Sequence, residues 1–77
     1  MEKEILGYII ERAQKLCFEE VTAETVLFDV GMNSLNSIGL IVDLEKEYNI
    51  KFRDEELSLG DLKTPQMLME LVMKKIA

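Results

Sequence analysis

Three stretches of the chain repeat apolar residues at helical spacing, and that periodicity constrains the fold more than any other feature. The first runs from about Glu2 to Leu16. Ile5, Leu6, Ile9, Ile10, Ala13, Leu16 and Cys17 form one broad stripe, with Glu11 and Lys15 paired on the outer side. The second opens near Asn33 or Ser34, either of which can cap it, and runs to about Tyr48, where Asn49 is a natural stop. The third has the clearest start, Thr64 as cap and Pro65 at the first helical position. Leu68, Leu71, Val72 and Ile76 make its core stripe. Met67, Met69 and Met73 flank it as flexible core filler, and Lys74 and Lys75 complement its C-terminal dipole. Ile50-Lys51-Phe52 alternates like a strand, but so short a run cannot form a sheet alone. Asp54 can cap a short turn over residues 55–57, and Gly60 then breaks the chain. The pattern predicts an all-α fold: a small four-helix bundle of three main helices plus one short helix, with a long first loop, in a single domain over residues 1–77.

That loop, residues 18–33, is acidic through Glu19, Glu20, Glu24 and Asp29. Val21, Val26, Leu27, Phe28 and Val30 make it too apolar for a disordered linker, so it is expected to lie over the core. Thr22 can cap a short turn within it. A loop of this length in a compact domain is often functional. It ends at Gly31, a natural site for positive φ.

Composition limits the chemistry. The chain has 77 residues, no His and a single Cys, so a Ser-His or Cys-His nucleophile pair, a His metal site, a zinc thiolate cluster and an internal disulfide are all excluded. No catalytic or metal-ligating residues are expected. Fifteen acidic against nine basic residues leave a net charge of −6, unsuited to nucleic acid, whose binding relies on Lys and Arg neutralising phosphates. Proteins with basic patches are the more natural partners. The N-terminus lacks the features of a signal peptide, and no apolar stretch is long enough to span a bilayer. The expectation is a soluble, cytoplasmic monomer. Cys17, on the core stripe with no cation cluster beside it, reads as a small buried hydrophobe.

The second helix is too apolar for one stripe. Leu40, Ile41, Leu44 and Tyr48 form a normal core face, and Leu35 is expected to turn inward at the helix entrance. Ile38 and Val42 are then surplus. They either pack under the first loop or belong to a docking surface, and spacing does not choose between these. Ser34 stands at the mouth of this helix. Free backbone N–H groups and the helix dipole favour an anion there, such as a phosphodiester attached to the serine. A plain N-cap is the commoner use of such a residue. Ser34 is not a self-activated nucleophile, since the chain holds no His to deprotonate it.

The run Leu27-Phe28-Asp29-Val30-Gly31-Met32-Asn33-Ser34-Leu35, followed by Ile38, Leu40, Leu44-Glu45 and Tyr48-Asn49-Ile50, resembles the phosphopantetheine attachment region of acyl and peptidyl carrier proteins. That pattern is a Gly, a variable residue, Asp-Ser-Leu, then a Leu-Glu pair and an aromatic residue. The resemblance covers nearly the whole chain, including helix order, long first loop and acidity. It implies a carrier-protein-like bundle without catalysis of its own. Ser34 would receive 4'-phosphopantetheine, covalently, from coenzyme A through a phosphopantetheinyl transferase. Acyl or aminoacyl groups would ride on the arm as thioesters, presented to loading and condensing enzymes. Asn33, Leu35, Ile38 and Val42 would lie where those partners dock, which favours the docking reading of Ile38 and Val42.

Two departures bear on the pathway. Asn33 stands where the family usually has Asp, and residues 34–42 carry no charge, whereas fatty-acid carriers are often acidic at Asn36 and Gly39. A changed helix face implies a changed partner, because electrostatic complementarity largely sets partner choice. The segment from Glu56 to Pro65 is similar to carriers of specialised pathways. The expected function is a carrier in polyketide, nonribosomal-peptide or related biosynthesis. The alternatives are a housekeeping fatty-acid or D-alanyl carrier, or an unmodified interaction module of the same fold.

Overall fold

The structure is a computed structural model that describes residues 2–53 and 64–76. Three α-helices, α1 (Glu2–Gln14), α2 (Ser34–Tyr48) and α3 (Pro65–Ile76), and a 3-10 turn (Leu27–Val30) make up its regular structure. The described residues contain no strand: Ile50-Lys51-Phe52 is irregular, with Phe52 buried and Ile50 half-buried. The short turn expected after Asp54 and the break at Gly60 lie outside the described residues.

Helix α1 lays Ile5, Ile9 and Ala13 into the core, with Leu6, Ile10, Leu16 and Cys17 partly buried around them. It ends at Gln14 rather than Leu16 because its last side chain turns to the loop. Gln14 Nε2 donates to the Glu19 carbonyl (2.9 Å), and Gln14 Oε1 accepts from the Val21 N–H (2.8 Å). Helix α1 packs chiefly against α3 and less against α2. Tyr8 and Tyr48 meet edge-to-face between α1 and α2 at 5.8 Å between ring centroids, a favourable aromatic geometry. Arg12 lies over the Tyr8 ring and 4.0 Å from Asp43.

Thr64 caps α3 as predicted, its Oγ1 accepting from the Met67 N–H at 3.2 Å. The Gln66 N–H, an orphan donor of the first turn, bonds the Ala23 carbonyl at 3.0 Å and ties α3 to the first loop. Pro65, Leu68, Met69 and Val72 are the buried positions of α3. Met69 is therefore core rather than flank, while Leu71 and Ile76 sit at its margin.

The first loop is more structured than predicted. Val21, Leu27, Val30 and Met32 are buried beneath it. Thr22 and Thr25 close a turn in which Thr25 Oγ1 accepts from the Thr22 N–H (2.8 Å) and Thr22 O from the Thr25 N–H (3.2 Å). The capping side chain there is thus Thr25, not Thr22. The 3-10 turn ends at Gly31 with φ +116°, the left-handed region foreseen for it. A Cβ at Gly31 would lie 2.6 Å from Phe18 Cδ1, so the position excludes a side chain on two counts.

Candidate functional site

The site is the junction of the first loop with α2. The loop reaches it locked: Met32 N–H bonds Leu27 O (3.1 Å), and Phe18 N–H bonds Val30 O (2.9 Å). The Phe18 ring, 76% exposed, lies over Gly31. Neither the Gln14 clamp nor the Phe18 cover was visible in the sequence. Both are contacts between residues whose partners only the folded loop brings near.

Asn33 is the N-cap of α2. Its backbone is extended (φ −131°, ψ −179°), its Oδ1 accepts from the Asn36 N–H at 2.9 Å, and its carbonyl accepts from the Ser37 N–H at 2.9 Å. Ser34 is therefore the first residue within the helix, not its cap. The commoner use of a serine at this point, capping, is already filled by its neighbour. Asn caps a helix about as well as Asp, so the departure at Asn33 leaves the local fold intact and removes only a charge. The backbone of Ser34 begins a helix whose positive dipole end favours an anion.

The expected docking residues divide cleanly from the core. Leu40, Ile41 and Leu44 are buried as predicted, and Tyr48 is half-buried. Leu35 does not turn inward: it is 81% exposed. The reason is register. Asn33 commits the chain to helix one residue before Leu35, which places Leu35 with Ile38 and Val42, on the side opposite Leu40 and Leu44. Ile38 is 60% and Val42 38% exposed, so the first loop does not cover them. Asn33 too is exposed. Leu35, Ile38 and Val42 form an apolar strip along the outside of α2 that no described element packs against. On the inner side, a small apolar cleft separates loop, α2 and α3, lined by Leu27, Phe28, Met32, Leu40, Ile41 and Leu68 with Ser37.

Glu45, the acidic half of the Leu-Glu pair, has a structural task that sequence reasoning did not assign. Its Oε2 accepts from the Phe52 N–H at 2.9 Å, closing the turn after α2. Asn49 ends the helix in the left-handed conformation (φ 54°, ψ 51°), as predicted. Cys17 is half-buried rather than fully buried; burial pushes its thiol pKa up, against a smaller opposing effect of the Met32 backbone. A suppressed thiolate is a poor nucleophile. No group of acidic or Cys side chains suited to a metal ion occurs among the described residues, and no helix of the structure is long and apolar enough to cross a membrane.

The described residues thus hold a buried helical core, a capped helix whose first residue is Ser34 and an uncovered apolar strip. Comparison with known proteins supplies the family. The family model described as "Phosphopantetheine attachment site" matches residues 9–72. An acyl carrier protein homolog of Mycoplasmopsis pulmonis is 34% identical over 53 residues, covering 69% of this chain and 73% of that protein. An acyl carrier protein of Buchnera aphidicola is 31% identical over 75 residues, covering 87% of this chain and 91% of that one. The chain belongs to the acyl and peptidyl carrier family defined by phosphopantetheine attachment. It is a carrier, not an enzyme, and its cofactor is covalently attached 4'-phosphopantetheine. Membership implies interaction with a phosphopantetheinyl transferase and with biosynthetic enzymes.

Proposed function

We infer that Ser34 carries the phosphopantetheine arm, and that the chain presents acyl groups on it to the enzymes of a dedicated biosynthetic pathway. The observation that carries this reading is the division of labour at the start of α2. Asn33 makes the capping bond, and Ser34 follows it at the first helical position, beneath the anion-favouring end of the helix dipole. The arm, when attached, supplies the thiol to which cargo is bound. The chain's own residues position that attachment point, with the Phe18–Gly31 contact and the buried Leu27, Val30 and Met32 holding the approach to it. Leu35, Ile38 and Val42, with Asn33 beside them, serve as the docking strip.

The names of the two relatives favour acyl over aminoacyl cargo. A specialised pathway is supported by residues 34–42, where no charge is available to a partner that reads an acidic helix. A housekeeping fatty-acid carrier is equally consistent with the relatives. The reading includes a monomeric, cytoplasmic single domain over residues 1–77, whose lone cysteine suits a reducing compartment.

The test is direct. Incubation with coenzyme A and a broad-specificity phosphopantetheinyl transferase is expected to add one phosphopantetheinyl mass to the wild-type chain and none to Ser34→Ala. No gain in the wild type, or a gain retained in Ser34→Ala, overturns the assignment. Intact mass spectrometry of the protein from its own cells then reads the cargo; an intermediate of ordinary fatty-acid elongation there overturns the dedicated pathway.

A further inference from the structure

Gly31 is the point on the approach to α2 with the most freedom to move. Its φ of +116° suits glycine, whose backbone is the least restricted of any residue. It stands three residues before Ser34, so movement at Gly31 is passed on to the helix entrance. The structure opposes that freedom with the dipeptide Cys17-Phe18. The Phe18 N–H bonds the Val30 carbonyl at 2.9 Å. The Phe18 ring takes the space beside Gly31 that a Cβ would fill, with Cδ1 only 2.6 Å from that position. The Cys17 thiol faces the Met32 backbone. Three consecutive residues ahead of Asn33 are thus each met by the same dipeptide. The dipeptide is itself held to α1: the Cys17 N–H bonds the Gln14 carbonyl at 3.4 Å, and the Gln14 side chain bonds the Glu19 carbonyl and the Val21 N–H just beyond. Yet Phe18 leaves 76% of its surface in solvent, so its ring adds little to the core. A ring that buries so little and rests on the glycine ahead of the serine acts locally.

We propose that Phe18 is a positioning residue for arm transfer: its ring restrains Gly31 and so holds the start of α2 in the arrangement in which Ser34 is presented. It acts through the backbone of residues 30–33 rather than by contact with the arm. This deepens the Ser34 reading and rests on it for the reaction, while the restraint on Gly31 is independent of it. The physical basis is preorganisation. A group already held in its reactive geometry reacts faster than one that must find it, and a displacement of about 1 Å can cost about 100-fold in rate.

Two readouts on the full chain test it. Amide hydrogen exchange before arm attachment follows Gly31 and Met32, whose N–H groups both bond the Leu27 carbonyl, against Ile9 and Val72 in the core. Phe18→Ala is expected to speed exchange at Gly31 and Met32 about tenfold and at Ile9 and Val72 less than about twofold. Single-turnover transfer from coenzyme A, with a broad-specificity phosphopantetheinyl transferase in excess, separates the rate at saturation from the enzyme concentration that gives half of it. Phe18→Ala is expected to lower the saturating rate about fivefold and to leave the half-saturating concentration within about twofold. Phe18→Leu, which keeps apolar Cδ atoms beside Gly31, is expected to retain most of the wild-type rate. Exchange that rises equally in the core makes Phe18 a residue of global stability, and a raised half-saturating concentration at an unchanged rate makes it a docking contact. Either result overturns the proposal, as does an unchanged saturating rate or unchanged exchange at Gly31. A wild-type chain that gains no mass breaks the Ser34 assignment instead, and exchange at Gly31 and Met32 then decides the restraint by itself.

Discussion

Helix α2 has two apolar strips of nearly the same composition and opposite fates. Leu40, Ile41 and Leu44 are buried against the loop and the other helices, whereas Leu35, Ile38 and Val42 stand on the outside with nothing described above them. The inner strip stabilises the fold, because each buried aliphatic side chain contributes about 1.5–3 kcal/mol of transfer free energy. The outer strip contributes little to the fold and stays accessible to a partner. One helix thus keeps its stabilising face apart from an uncovered apolar face, the one the proposed docking would use.

The comparison can be broken most sharply by truncation. Leu44→Ala is expected to destabilise the chain by about 2–5 kcal/mol, against well under 1 kcal/mol for Ile38→Ala. In a domain this small the first loss is enough to unfold much of the population, and urea denaturation measures it. Equal effects would mean that the outer strip is packed after all. Gly31→Ala comes next, at about 1–3 kcal/mol, since alanine at a φ of +116° is strained and its Cβ meets the Phe18 ring. If Phe18→Ala relieves part of that loss in a double-mutant cycle, the ring contact is confirmed as its cause. Asn33→Ala is expected to cost about 1 kcal/mol through the lost cap, and Asn33→Asp to cost nothing. A stability loss in the aspartate variant would show that the cap depends on more than its side-chain oxygen.

The smallest effect concerns Cys17, on the inner side of the same division. Its thiol pKa is raised, so the thiol form is favoured by folding: the stabilisation is present below the unfolded pKa and fades as pH rises through the higher folded value. Alkylation by iodoacetamide at mildly alkaline pH should therefore be slower in the native chain than in urea. Equal rates would place Cys17 outside the packed region.

Most of the helical framework was legible in the sequence because its signals are local. Thr64-Pro65 at the start of α3, Asn49 after α2 and Gly31 at positive φ each satisfy their neighbours' backbone, and the structure uses them as read. Leu35 was misread because its place at the helix entrance was taken to let it turn inward, although its spacing from Ile38 and Val42 already put it on their arc, away from Leu40 and Leu44. The 3-10 turn was not read in the loop because it is closed by backbone bonds, Asp29 N–H to Val26 O and Met32 N–H to Leu27 O, with no side-chain cap to mark it; the earlier part of the loop is tied down at residues 19–23 by Gln14 of α1 and the Gln66 N–H of α3.

The sequence alone determined the class of the protein. Helical periodicity marked the three helices, and one cysteine with no histidine excluded His and paired-Cys chemistry, since these are properties of residue type and spacing; the Gly-x-Asn-Ser-Leu run added a resemblance to the carrier family, which the comparisons bear out. The tertiary structure alone decided which apolar residues are core and which are surface. Burial and pairing depend on what the rest of the chain brings alongside. For α2 it brings α1, α3 and the loop to one face and leaves the other uncovered.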